Sequence, residues 1–149
     1  MEIVLYQPEI AGNVGAIIRL AANSGVSLNL IKPFGFDLQE NKIRRAGLDY
    51  HDLSNTKTYN SWEEFTKTHR NKSICCLSSK GKDSYWDTNL NQYDFLLFGP
   101  ESIGLPNEII SSYKTITIPM KEKSRSINLA NSVGIAVSYT HLRAHETDS

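Results

Sequence analysis

Three stretches of this chain combine side chains able to do chemistry with a backbone able to present them. In PEIAGNVGAIIRLAANSG, from Pro8 to Gly25, a Gly-Asn-x-Gly turn leads into a helical pattern carrying Arg19 among small and aliphatic neighbours. Arg19 lies about 1.7 helical turns beyond Asn13. A guanidinium keeps its proton, so its chemistry is electrostatic: it holds an anion or stabilises developing negative charge. The plainer alternative is a surface arginine whose stem covers apolar neighbours. In FLLFGPESIGLP, from Phe95 to Pro106, an apolar run breaks into Gly99-Pro100-Glu101 and then Gly104-Leu105-Pro106. Such a turn brings bare backbone close to a ligand at the carboxyl end of a sheet. Glu101 there is placed either for acid–base work or to satisfy nearby amides or an arginine. In IPMKEKSRSINLANSVGIAV, from Ile118 to Val137, a strand ends at Ile118-Pro119-Met120 and a basic loop follows. Ser126-x-Asn128 then opens a helix, where both residue types are ordinary caps. A helix N-terminus behind exposed backbone also suits a polar or anionic ligand group.

These stretches need a scaffold, and the apolar pattern predicts one. Strands are expected at Ile3–Tyr6, Ser27–Ile31, Ser73–Leu77, Tyr93–Phe98 and Thr115–Ile118. A first helix opens at Gly12 and Asn13, closes near Gly25, and puts Val14, Ile17, Ile18, Ala21 and Ala22 on one face. Others are expected over Glu40–Leu48, from the capping box Ser61-Trp62-Glu63-Glu64 to about His69, from Pro106 through Ser112, and from about Ser126 towards Val137. Alternating strands and helices imply an α/β domain, its mainly parallel sheet covered on both faces. That domain spans residues 1–137. The segment 138–149, SYTHLRAHETDS, fits poorly, because the helical periodicity stops at Val137; it resembles a run-on of non-native sequence.

Composition narrows the function. The chain has 149 residues, 40% of them hydrophobic and 21% charged, with a formal net charge of zero. No global basic field points to a nucleic-acid coat, which leaves recognition through a local patch. No apolar run reaches membrane-span length and no signal sequence precedes the first strand, so a cytoplasmic location and no membrane partner are expected. Cys75 and Cys76, adjacent within ICCL, read as small buried hydrophobes and not as a disulfide or zinc framework. His141 and His145 have i, i+4 spacing without a third ligand, so no metal is expected. No G-x-G-x-x-G follows a strand. The Gly81-Lys82 pair is not a P-loop, because Cys76 stands where its first glycine belongs.

Taken together, the three stretches resemble the three motifs of the SPOUT class of S-adenosylmethionine-dependent RNA methyltransferases. Within it the chain most resembles the small single-domain subfamily that 2′-O-methylates the wobble nucleotide of certain leucine tRNAs. The likeness runs from Ile3 to about Val137 and includes RRAGLDYH at Arg44–His51. It implies a deep C-terminal trefoil knot, a methyl donor bound bent within the knotted loops, a tRNA substrate and a homodimer. By position, Leu77, Gly99, Ile118 and Ser126 would line the donor pocket, with Met120 and Gly104 beside them and Asn13, Glu101 and Asn128 supporting. Arg19 matches the catalytic arginine, which acts near a dimer partner's cofactor. Arg44 and Arg45, with Lys121, Lys123 and Arg125, are candidates for RNA phosphates. The alternatives are the same chemistry at another tRNA or rRNA position, or a non-catalytic RNA-binding module of this fold.

Overall fold

Short runs whose side chains are buried on both faces make the centre of the sheet: β1 (Glu2–Tyr6), β2 (Leu28–Ile31), β4 (Ile74–Leu77) and β6 (Phe95–Phe98). A run such as LNLI or FLLF is what a parallel strand covered on both faces requires. The computed structural model describes residues 1–36, 52–121 and 127–142, the last two by backbone alone. Within them β3 (Thr56–Tyr59), β5 (Asp83–Ser84) and β7 (Lys114–Thr117) complete a seven-stranded sheet in the order β3-β2-β1-β6-β4-β7-β5. Every pairing is parallel. Ile3 stands opposite Leu28 on one side and Leu96 on the other.

Helices α1 (Ala11–Ser24) and α4 (Leu129–Val137) cover one face; α2 (Trp62–Thr68) and α3 (Asn107–Ser112) cover the other. The strand period of two divides the core accordingly. Ile3, Leu5, Leu96 and Phe98 pack with Val14, Ile17, Ile18 and Ala21 of α1 and Val133 and Ala136 of α4. Val4, Phe95 and Leu97 pack with Phe65 of α2 and Ile109 of α3. Burial pushes the Cys75 thiol up to about 11 and that of Cys76 to about 12, so neither is a nucleophile near neutral pH.

The single α/β domain with a parallel sheet is as the sequence implies, and several details differ. β3 and β5 carry no apolar run to announce them. β3 is an edge strand with Lys57 and Thr58 exposed, and β5 is pinned by an ion pair between Lys114 and Asp83. Pro106 stands ahead of α3 instead of inside it, at φ −57° and ψ 144°, and its carbonyl accepts from the N–H groups of Ile109 and Ile110. α4 begins at Leu129, and its cap is Asn128, whose Oδ1 accepts from Asn131 N at 3.3 Å. Ala22 is only half-buried. Beyond Val137 the helix loosens into a π turn over 138–142, and Thr140 is buried with Oγ1 donating to the Ala136 carbonyl at 2.6 Å. The apolar period lapses there because a threonine fills a core position and satisfies its hydroxyl on its own helix. The helix expected over Glu40–Leu48 lies outside the described residues.

Candidate active site

Leu77, Phe98 and Thr117, at the carboxyl ends of β4, β6 and β7, open onto a cavity of about 380 Å³. Parallel sheets bind ligands at this edge, and the volume falls within the range of small-molecule sites. Segments 78–80, 99–105 and 117–120 wall the cavity, and Asn13 of α1 and Asn128 ahead of α4 close one side. Leu77, Leu105, Ile118 and Leu129 supply apolar surface; Glu101 is the one acid and Lys80 the one base among the described lining residues.

The three motif stretches meet through hydrogen bonds that join distant parts of the chain. α1 has no cap from its own sequence, because Ile10 occupies the capping position. Glu101 instead braces the approach to the helix: its carboxylate accepts from Glu9 N at 3.0 Å, Ile10 N at 2.6 Å and Asn13 Nδ2 at 3.4 Å. A carboxylate at a helix N-terminus is favoured by the orphan N–H groups and the helix dipole. Glu9 returns the arrangement by accepting from Ser102 Oγ at 2.7 Å and Ser102 N at 3.0 Å. These two bonds hold the Glu9 carboxyl below its ordinary value. Asn13 Oδ1 in turn accepts from Asn128 Nδ2 at 3.1 Å. Both Glu101 oxygens are engaged by amides, so its place here is that of a clamp between two loops.

The glycines of the loop are needed by the loop itself. A side chain on Gly99 would put Cβ 2.4 Å from Leu105 N, so the turn folds back onto Gly99 before any ligand approaches. Gly104 sits at φ +70°, where glycine has no steric penalty, and its N–H donates to the Pro100 carbonyl at 3.0 Å.

Residues 1–138 match the SpoU rRNA Methylase family. The chain belongs to that family. It is 44% identical over 140 residues to a tRNA (cytidine(34)-2′-O)-methyltransferase of Aeromonas hydrophila, covering 92% of this chain and 90% of that protein. It is 39% identical to the protein of the same name from Escherichia coli, covering 92% of this chain and 89% of the relative. A solved structure concerned with 2-OH methylation of cytidine or uridine 34 on tRNA superposes with a TM-score of 0.89 at 39% identity, covering 97% of this chain and 96% of that one.

In this SpoU-family chain, Leu77, Gly99, Gly104, Ile118, Met120, Asn13, Glu101 and Asn128 all line this same cavity. Arg19 does not. It is exposed on the side of α1 turned away from Val14, Ile17, Ile18 and Ala21. Lys121 is exposed next to Met120. Ser126, Lys123, Arg125, Arg44 and Arg45 lie outside the described residues, as do His145 and the side chain of His141. Among the described residues no three His, Cys, Asp or Glu side chains gather to hold a metal, and no helix is long and apolar enough to cross a membrane. Sequence reading missed Glu9, Ser102 and the turn Ser78–Lys80, which also belong to the site. The only signal for the turn was its place directly after the apolar run ending at Leu77.

Proposed function

We propose that this SpoU-family chain transfers the methyl group of S-adenosylmethionine to the ribose 2′-hydroxyl of nucleotide 34, the wobble position, in tRNA, with leucine tRNAs as substrates. The observation behind the reading is that the three motif stretches converge on one small-molecule-sized cavity through Glu101, Asn13 and Asn128. Proteins named for that reaction resemble the chain over 92% of its length.

The lining fits the donor: an apolar wall for a flat base at Leu77 and Ile118, with polar groups at the rim. Leu77, Gly99 and Ile118, with Gly104, Met120 and Ser126, would hold it. When bound, the donor supplies an electrophilic sulfonium methyl. A ribose hydroxyl is a weak nucleophile near neutral pH, so the protein must align it and ease the loss of its proton. Arg19 stabilises the developing alkoxide, and the proton leaves to phosphate or water, since a guanidinium is a poor base. Arg19 faces away from its own core, which favours action across a homodimer on a partner's cavity. Residues 1–137 form the catalytic domain, with a C-terminal trefoil knot, and 138–149 follow as an atypical tail that packs onto it through Thr140. Lys121, Arg44, Arg45 and Arg125 hold tRNA phosphates, and the enzyme works in the cytoplasm.

A second reading keeps the chemistry and moves it to another RNA position, because the matching family is described by rRNA methylation. The deciding experiment offers labelled S-adenosylmethionine and unmodified leucine tRNAs, then reads the nucleosides by mass spectrometry. A 2′-O-methyl mark at position 34 is the expected result. A mark elsewhere supports the second reading, and none on any tRNA or rRNA refutes both.

A further inference from the structure

The turn after β4 is built more firmly than a connecting loop needs. Ser78 N donates to the Ile116 carbonyl of β7 at 3.0 Å, and Gly81 N donates back to the Ser78 carbonyl at 3.0 Å. Ser78 Oγ accepts from Lys80 N at 3.1 Å. Gly81 is pressed onto β7: a Cβ there would lie 2.4 Å from the Ile116 carbonyl carbon and 2.5 Å from its oxygen. Only glycine fits, and Lys80 is thereby held on the cavity wall. Its Nζ donates to Asn107 Oδ1 at 3.1 Å, a neutral amide that leaves the ammonium charge uncancelled.

Lys80 is the single described cation lining a cavity whose single described acid, Glu101, is already engaged by amides. A site of this kind is completed by a ligand carrying a small anionic group at the Lys80 end. We propose that Lys80, whose ammonium is tethered at the cavity wall by Asn107, binds the carboxylate of the methyl donor's amino-acid portion. The assignment rests on the donor reading above. It favours the donor over an RNA phosphate because Lys80 lines the same small cavity as the apolar wall at Leu77 and Ile118. Lysine suits the task as a compact point charge on a flexible stem.

Two probes that differ in that carboxylate test it: S-adenosylhomocysteine, and 5′-methylthioadenosine, which keeps the adenosine thioether and lacks the amino acid. Calorimetry on the full chain and on Lys80→Met should show homocysteine-ligand affinity falling about tenfold, a loss of ~1.4 kcal/mol. Affinity for methylthioadenosine should stay within about twofold, which also shows that the variant is folded. Lys80→Arg should recover most of the loss. Equal loss for both ligands, or unchanged ligand affinity with weakened tRNA binding, overturns the assignment while the donor reading stands. A full chain that binds neither ligand overturns both.

Discussion

The aromatic core under one face of the sheet and the loops at the cavity end are held by different forces. On the side of α2 and α3, Phe65 sits within 5.1 Å of Tyr59 and 5.0 Å of Phe95, ring centre to ring centre, and is fully buried. Dispersion and burial do the holding there. At the cavity end of the α1 and α4 side, the loops are joined by the Glu9–Ser102, Glu101–Asn13 and Asn13–Asn128 hydrogen bonds. Burial is forgiving of direction; hydrogen bonds fix atoms in place. The aromatic core therefore carries stability and the cavity-end loops carry the geometry a reaction needs, and substitutions should separate the two.

The largest stability effect is expected on the aromatic face: Phe65→Ala should cost about 3–5 kcal/mol in denaturant unfolding. Protein that remains folded should still bind S-adenosylhomocysteine. Arg19→Ala should show the opposite pattern. Transfer should fall about 10²–10³-fold, as when an oxyanion-stabilising donor is removed. Unfolding midpoint and S-adenosylhomocysteine affinity should barely move. An affinity loss in step with activity would count against its assigned part. Gly99→Ala lies between these extremes, because the new methyl group meets the Leu105 backbone. It should cost about 1–3 kcal/mol and weaken S-adenosylhomocysteine binding as the turn shifts.

The smallest effect concerns the clamp and depends on pH. Hydrogen bonds from the Ser102 side chain and backbone lower the folded-state value of Glu9 from its ordinary 4.5. Its stabilisation is therefore complete above that ordinary value and disappears as pH falls through the lower folded value. Unfolding measured from neutral to acid pH should show Glu9→Gln less stable than the parent at neutral pH and converging with it in acid. A gap that is constant with pH would mean that the Glu9 charge plays no part.

Legibility in the sequence followed the same division. The buried strands were readable because β4 and β6 are apolar at every position and β2 at every position but Asn29, and α1 was readable from its apolar face and its stop at Gly25. β3 and β5 were missed because edge strands bury too little to leave a pattern. The motif residues that line the cavity were found through family likeness; composition alone offers Glu101 two meanings. Lys80 escaped notice because nothing in SSKG marks it until Gly81 is seen against β7.

By itself the sequence determined the buried strands, the helices that cover them, and the family to which the chain belongs. Those properties are written locally, since apolar periodicity and turn residues act within a few positions. Only the tertiary structure decided what the polar groups do. The amides that occupy Glu101 lie 88 to 92 residues away in the chain, and Asn128 reaches Asn13 across 115. A hydrogen bond needs a partner at one distance and angle, and no local pattern states which distant residue the folded path will bring there.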